Sequence, residues 1–131
     1  MPNEPTYLGK QTRGAIDRPE RVPTDVPHGM EVVLQCNEFT SHCPVTDQPD
    51  YATLTITYVP KDGYLAETKS VKLWLQSFRD RREFNEVLIG KIAVQFVEAI
   101  RPVWVRVDGV FGARGGISVR PSVLVYGPDD D

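Results

Sequence analysis

Ala52-Thr53-Leu54-Thr55-Ile56-Thr57-Tyr58-Val59 alternates apolar and mostly hydroxyl-bearing side chains with a period of two. This is the pattern of a strand with one face in a core and the other near water. Such a strand needs partners. Upstream, Glu31-Val32-Val33-Leu34-Gln35-Cys36 reads as a second strand, and downstream Pro60-Lys61-Asp62-Gly63 is turn chemistry. The period then changes. Val71, Trp74, Leu75 and Phe78 fall at i, i+3, i+4 and i+7, predicting a helix from about Lys69 to Asp80. A second helix, from about Arg82 to Ile100, carries Phe84, Leu88, Ile92, Phe96 and Ile100 on one stripe and ends before Pro102, with Gly90 weakening it locally. Val103-Trp104-Val105-Arg106-Val107 and the run from Ile117 to Tyr126 read as two further strands, separated by Gly112-Ala113-Arg114-Gly115-Gly116. The order ββααββ, without internal repeat, predicts an α+β fold: a four-stranded antiparallel sheet carrying both helices on one face.

Composition agrees with one domain. The chain has 131 residues, 40% hydrophobic and 25% charged, enough apolar material for a core with little to spare. A net charge of −3 implies no broad cationic face, hence no direct nucleic-acid partner, although a small anion could still meet local lysines and arginines. No apolar run approaches the roughly 20 residues of a membrane span, and Met1-Pro2-Asn3-Glu4-Pro5 is neither a basic nor an apolar leader, so the expected location is the cytoplasm. Residues 1–29, with Pro2, Pro5, Pro19, Pro23 and Pro27, read as an arm lying on the domain or on a neighbouring subunit; 30–126 form the domain and 127–131 an acidic tail.

Chemistry concentrates between Glu38 and Asp50, a stretch so rich in proline and polar residues that it reads as an irregular loop. Cys43 is the candidate nucleophile, since a thiol works as thiolate and an exposed loop with donors nearby can favour that form. Asp50 is the candidate acid or base. Each also has a plainer reading, Cys43 as a small buried hydrophobe and Asp50 as a turn-terminating carboxylate. Two cysteines and two histidines make no convincing zinc site, and no metal is expected. The segment Glu67-Thr68-Lys69-Ser70-Val71-Lys72 opens a helix. It is either a capped end, with Thr68 as the cap and solvated lysines, or a phosphate site built on helix amides, hydroxyls and lysine. Arg114-Gly115-Gly116 is either a hairpin turn or a close backbone approach to a ligand with an arginine to grip phosphate. Asn85 and Glu86 lie off the apolar stripe of the second helix.

Together these pieces resemble one family, the 7-cyano-7-deazaguanine reductases, nitrile reductases of queuosine biosynthesis. The resemblance rests on Glu38-Phe39-Thr40-Ser41, Cys43-Pro44, Thr46, Gln48-Pro49-Asp50, the run Glu67 to Trp74, Ser77-Phe78-Arg79 and Arg114-Gly115-Gly116-Ile117, in order over residues 30–120. It implies the tunnelling fold (T-fold), whose subunits join sheets into barrels, here a homo-oligomer expected as a decamer of two stacked pentamers. It further implies that Cys43 attacks the nitrile to form a thioimide, that Asp50 supplies a proton, and that NADPH delivers two hydrides to give the primary amine. By the same resemblance Ala66, Glu67, Thr68, Asn85 and Glu86 bind substrate, while Thr68, Lys69, Arg114 and Gly115 meet NADPH. Thr68, Asp47 and Asn85 depart from the family's commoner serine or leucine, glycine and histidine. Two alternatives stand beside this: an archaeal QueF-like amidinotransferase, which captures the nitrile in tRNA and adds ammonia, and a non-catalytic purine- or pterin-binding oligomer. Cys36, seven residues before Cys43, is either strand packing or a partner for a reversible disulfide.

Overall fold

The computed structural model describes residues 14–61 and 63–129. Most of the predicted arm's first half, Asp62 of the predicted turn and the last two residues of the acidic tail lie outside them. Eight elements follow one another: β1 (Arg21–Pro23), β2 (Val32–His42), β3 (Pro49–Val59), β4 (Tyr64–Ala66), α1 (Thr68–Gln76), α2 (Asn85–Ile100), β5 (Trp104–Phe111) and β6 (Ser122–Tyr126). The main sheet has the order β2-β3-β5-β6, antiparallel throughout. This is the four-stranded α+β arrangement that the alternating pattern of residues 52–59 predicts.

Periodicity explains the layering. Leu54, Ile56 and Tyr58 of β3 and Val105, Val107 and Phe111 of β5 point into one cluster with Val71, Trp74 and Leu75 of α1 and Leu88, Ile92 and Phe96 of α2. Thr53, Thr55 and Thr57 occupy the opposite face of β3 and stay half-exposed. An aromatic chain ties the helices to the sheet: Trp74 stands edge-on to Phe78 at 5.8 Å between centroids, Phe78 meets Phe39 at 6.3 Å, and Tyr58 meets Phe96 at 5.1 Å. Buried aromatic pairs of this kind add about 0.5–1.5 kcal/mol each beyond their area. The indole N–H of Trp74 donates to Gln95 Oε1 at 2.8 Å, so the polar atom of this fully buried side chain is satisfied.

Several boundaries differ from the sequence expectations, and β5, expected to end at Val107, runs on to Phe111. A short ribbon of β1 with β4 was not legible, because each strand has only three residues. It fastens part of the predicted arm to its own chain: the N–H of Glu67 donates to Glu20 O at 2.8 Å, that of Glu20 to Ser70 Oγ at 2.8 Å, and Arg21 lies 4.1 Å from the Tyr64 ring centroid. Helix α1 stops at Gln76 and turns run on to Asp80, while α2 starts at Asn85 rather than Arg82, since Arg82 forms a bridge with His42 and Phe84 is extended. Strand β6 begins only at Ser122: Pro121 lacks the N–H that would continue the ladder. Finally, the irregular loop expected over Glu38–Asp50 shrinks to Cys43–Gln48, with Glu38–His42 in β2 and Pro49–Asp50 in β3. Polar side chains did not prevent pairing, because the ladder uses backbone groups and every second residue faces solvent. Among the described residues no helix is long and apolar enough to cross a membrane.

Candidate active site

One extra residue in β2 sets the orientation of the site. Strands β2 and β3 run in register from Val32↔Tyr58 to Cys36↔Leu54, and pairing resumes at Phe39↔Ala52. A bulge of this kind shifts the alternation by one. Leu34 and Cys36 pack toward the core before it, Phe39 and Ser41 after it. Ser41 therefore stands opposite Asp50, both buried, and Cys43 follows two residues later in the same phase.

Cys43 sits at the start of a single tight turn. Its N–H donates to Gln48 O at 2.9 Å and its carbonyl accepts from Asp47 N at 3.0 Å. Pro44 takes the first position of the turn, where its missing N–H costs nothing. The Thr46 hydroxyl, then the Thr46 and Val45 amides, hydrogen-bond the sulfur and lower the thiol pKa; burial and the charge of Asp50 act weakly the other way. This is the logic of a helix N-cap with sulfur as the acceptor. Asp47 adopts a left-handed φ of 58°, a conformation that glycine takes at least steric cost. Its carboxylate is held 2.7 Å from Arg82 Nε, and that hydrogen bond, followed by the arginine's charge, keeps the Asp47 carboxyl below its usual range. Arg82 belongs to the α1–α2 connection, which is fastened to β2 by His42: its N–H donates to Arg81 O at 3.0 Å and its Nδ1 donates to Arg79 O at 2.9 Å.

Asp50 is approached from the other side. The guanidinium of Arg114 places Nη2 2.7 Å from Asp50 Oδ1 and 2.6 Å from Pro49 O, and Nη1 3.2 Å from Gln48 Oε1. Arg114 and Ile117 exchange backbone hydrogen bonds of 2.9 and 3.0 Å around Gly115 and Gly116, whose φ values are 58° and 81°. Two consecutive left-handed residues are the signature of a tight two-residue hairpin turn, which explains the glycine pair.

Ala66, Glu67, Thr68 and Lys69 form a separate group. Ala66 N donates to the Tyr58 hydroxyl at 2.9 Å. Glu67, not Thr68, caps α1: its Oε1 accepts from Ser70 N at 2.9 Å and its Oε2 from Lys69 N at 3.0 Å. Thr68 is the first helical residue, because an extended Glu67 backbone lets the longer carboxylate fold back over two amides. Those amides, the ones a phosphate would have used, are thereby occupied. Tyr58 lies eight residues beyond Asp50 on β3, roughly 26 Å at the usual rise per strand residue. Within one chain the start of α1 and the pair Cys43 and Asp50 thus stand at opposite ends of the sheet. A cavity of about 440 Å³ lies between β2 and α1, walled by Cys36, Glu38, Thr40, Thr68, Lys72 and Arg79, and it does not include Cys43 or Asp50. Asn85 and Glu86 open α2 just beyond the His42-bound connection; Glu86 is exposed, and Asn85 Oδ1 is buried with no partner among the described residues.

Cys36 and Cys43 are both free thiols. With β2 extended between them their Cα atoms are roughly 20 Å apart, far beyond the ~7 Å limit for a disulfide, so the two do not bridge within one chain. Sequence reasoning gave Arg82 no role and used Thr46 and Gln48 only as matches to a pattern. A signal for Thr46 existed, since Cys43 and Thr46 have the three-residue spacing of a capping box.

A family model described as QueF-like protein matches residues 49–127. Proteins named NADPH-dependent 7-cyano-7-deazaguanine reductase are similar to the chain. That of Helicobacter pylori (strain G27) is 44% identical over 92 residues, 70% of this chain and 62% of the relative. That of Anaeromyxobacter sp. (strain Fw109-5) is 48% identical over 87 residues, 66% of this chain and 70% of the relative. That of Maricaulis maris (strain MCS10) is 43% identical over 121 residues, 86% and 77% respectively. The match thus spans under two thirds of the Helicobacter protein's length but more of the other two. The crystal structure of an archaeosine synthase QueF-Like in the apo form superposes with a TM-score of 0.70 over 79% of this chain and 99% of that one, at 21% identity, which establishes the shared fold. On the family match over residues 49–127 and on relatives of 43–48% identity, the chain belongs to the QueF-like protein family.

Proposed function

We propose that the chain reduces the nitrile of 7-cyano-7-deazaguanine to the primary amine 7-aminomethyl-7-deazaguanine, using NADPH, as a step of queuosine biosynthesis in the cytoplasm. The observation that carries this reading is a thiol with a lowered pKa, Cys43, beside the buried carboxylate Asp50 in a chain similar to reductases of that name. A nitrile is a poor hydride acceptor. Addition of the Cys43 sulfur to the nitrile carbon makes a C–S bond, breaks one C–N π bond and leaves a nitrogen that must take a proton; that proton is the one the Cys43 thiol gives up, relayed by the Asp50 carboxylate. The resulting thioimide is a better electrophile, and its covalent tether prevents escape of a half-reduced product. Two molecules of NADPH would supply one hydride each, which with two protons yield the amine and return the Cys43 thiol.

The residues present suit these ligands in part. Asn85 Oδ1, buried and unpaired, can accept from a heterocycle N–H, and the exposed Glu86 beside it can accept from the guanine-like edge. For the cofactor's phosphates the side chains of Thr68, Lys69 and Lys72 supply a hydroxyl and positive charge at the start of α1; the Lys69 and Ser70 amides are committed to Glu67. Because Ala66, just before this group, is bonded to Tyr58, roughly 26 Å along β3 from Asp50, the reading has a second copy bring its α1 start to the reactive turn. Edge-to-edge pairing of the open strands β2 and β6 in a closed ring, expected as two stacked pentamers, would do so.

The test is NADPH oxidation with and without 7-cyano-7-deazaguanine, together with intact mass in the absence of NADPH. Wild type should oxidise NADPH only with the nitrile and gain the nitrile's mass on Cys43; Cys43→Ala should do neither while keeping its assembly. An alanine variant turning over within a few-fold of wild type would remove Cys43 from the mechanism. An adduct that consumes ammonia and leaves NADPH untouched would favour amidine formation instead.

A further inference from the structure

The Cys43 turn and the start of α2 are joined through the connection between the two helices. His42 does much of the fastening: its backbone N–H donates to Arg81 O at 3.0 Å, its ring Nδ1 to Arg79 O at 2.9 Å, and it forms a parallel bridge with Arg82. From the turn itself, Asp47 Oδ1 accepts from Arg82 Nε at 2.7 Å. Glu83, with a side chain 15% exposed, then takes Arg81 Nη1 at 3.1 Å and Lys91 Nζ at 2.6 Å, so the connection is tied to α2 as well. Phe84, Asn85 and Glu86 follow directly. The pair of Asp47 and Arg82 differs from the rest of this fastening. Both side chains are more than half exposed, and a pair in that setting adds little to global stability. Asp47 moreover holds its left-handed φ of 58°, which costs any residue with a Cβ something, though Asp less than most. Strain kept without a gain in stability points to a task in the site.

We infer that Asp47 and Arg82 are positioning residues, a clasp that sets the distance from the Cys43 sulfur to Asn85 and Glu86 and so aligns the bound nitrile carbon with its nucleophile. The thiol stands on the turn after β2, whereas Asn85 and Glu86 stand on the first turn of α2. Attack needs the reacting atoms within about 3.5 Å, and a misplacement on the order of 1 Å costs much of the rate. The segment from Arg79 to Phe84 relates the two elements, and Arg82 is where its side chains meet the turn. A guanidinium suits this task, because its planar, fixed donors restrict direction as well as distance. The inference rests on the proposed thioimide chemistry for its effect on turnover, while the clasp itself is a contact within the chain.

The experiment uses full-length wild type, Asp47→Gly, Asp47→Asn, Arg82→Ala and the double variant Asp47→Gly with Arg82→Ala, each first checked for an unchanged circular dichroism spectrum. Glycine takes the left-handed φ freely, so Asp47→Gly removes the carboxylate without straining the turn, and asparagine keeps an acceptor oxygen in the same place. Three rates are read: Cys43 adduct formation at saturating 7-cyano-7-deazaguanine without NADPH, alkylation of Cys43 by iodoacetamide at neutral pH, mapped by peptide mass, and hydrogen exchange of the peptide holding the His42 amide, whose acceptor is Arg81 O. Asp47→Gly and Arg82→Ala should each slow adduct formation about ten-fold, and the double variant should be no slower than either, since both remove the same contact. Asp47→Asn should recover part of the rate. Salt at about 1 M should slow wild type toward the double variant and leave the double variant unchanged. Alkylation, which needs no seated substrate, should stay within about two-fold in every variant. A charge acting on the thiol would instead speed alkylation when the Asp47 carboxylate is removed and slow it when the Arg82 cation is removed. That opposite pair of shifts would overturn the inference, as would losses that add in the double variant or adduct rates all within two-fold of wild type. If wild type itself forms no adduct, the nitrile reading fails, and exchange at His42 still decides the clasp: it should quicken in Asp47→Gly and Arg82→Ala, and unaltered exchange would overturn it.

Discussion

A thiol attacks only as thiolate, and Cys43 draws that state from its own turn rather than from a neighbouring cation. The Thr46 hydroxyl is the largest contributor, ahead of the Thr46 and Val45 amides. A lowered pKa means that thiolate is populated at lower pH. Alkylation of Cys43 by iodoacetamide, mapped by peptide mass to exclude Cys36, should therefore show a midpoint below the value of about 8.5 for an ordinary thiol. Thr46→Val keeps the shape and removes the donor, so its midpoint should rise toward that value. An unchanged midpoint would mean that the two amides suffice. Thr46 was visible in the sequence only as part of a pattern, because its contribution arises from a turn whose closure depends on Cys43 N meeting Gln48 O.

Elements are set by local chemistry where the pattern is long and by competing contacts where it is short. α1 shows this at its start. Thr68 has the residue type of a cap, yet Glu67 takes the position because its carboxylate reaches two amides at once while Thr68 enters the first turn. Glu67→Ala should destabilise the fold by about 1 kcal/mol, read as a lower urea midpoint with unchanged m-value. Loss of no more than a few tenths of a kcal/mol would show that the tertiary contacts of α1 hold it without the cap. The same variant separates two roles: if Glu67 is only a cap, KM for the nitrile should stay within a few-fold, whereas a direct substrate contact would raise it much further. The bulge after Cys36 is the other decisive local feature, since without it Phe39 and Ser41 would face outward and the approach to Cys43 would run on the wrong side of the sheet.

For the whole molecule the separation of the two groups of binding residues is the main fact. Roughly 26 Å of strand lies between Asp50 and Tyr58, which holds the segment before α1 through Ala66. A shared site predicts complementation. Cys43→Ala and Lys69→Ala chains, each weak alone, should regain activity when co-expressed, approaching about one site in four if subunits mix at random in a ring. Activity no greater than the sum of the two single variants, in mixtures shown by native mass spectrometry to contain both chains, would mean that each chain completes its own site. Activity should also fall on dilution before secondary structure is lost.

The sequence by itself determined the α+β class, the order of the main strands and helices, the pair Cys43 and Asp50 as the candidates for chemistry, and the family. Each is written in local periodicity or in motif spacing, and both survive without knowledge of the fold. Only the tertiary structure decided that Glu38–His42 is strand, that Glu67 caps α1, that Arg114 grips the reactive turn, that Asp47 is paired with Arg82, and that the two halves of the expected site lie at opposite ends of one chain. The reason is physical. Periodicity reports which face of an element is buried, but a bulge of one residue inverts that face, and a side chain with several possible partners is assigned by whichever of them folding brings within hydrogen-bond reach.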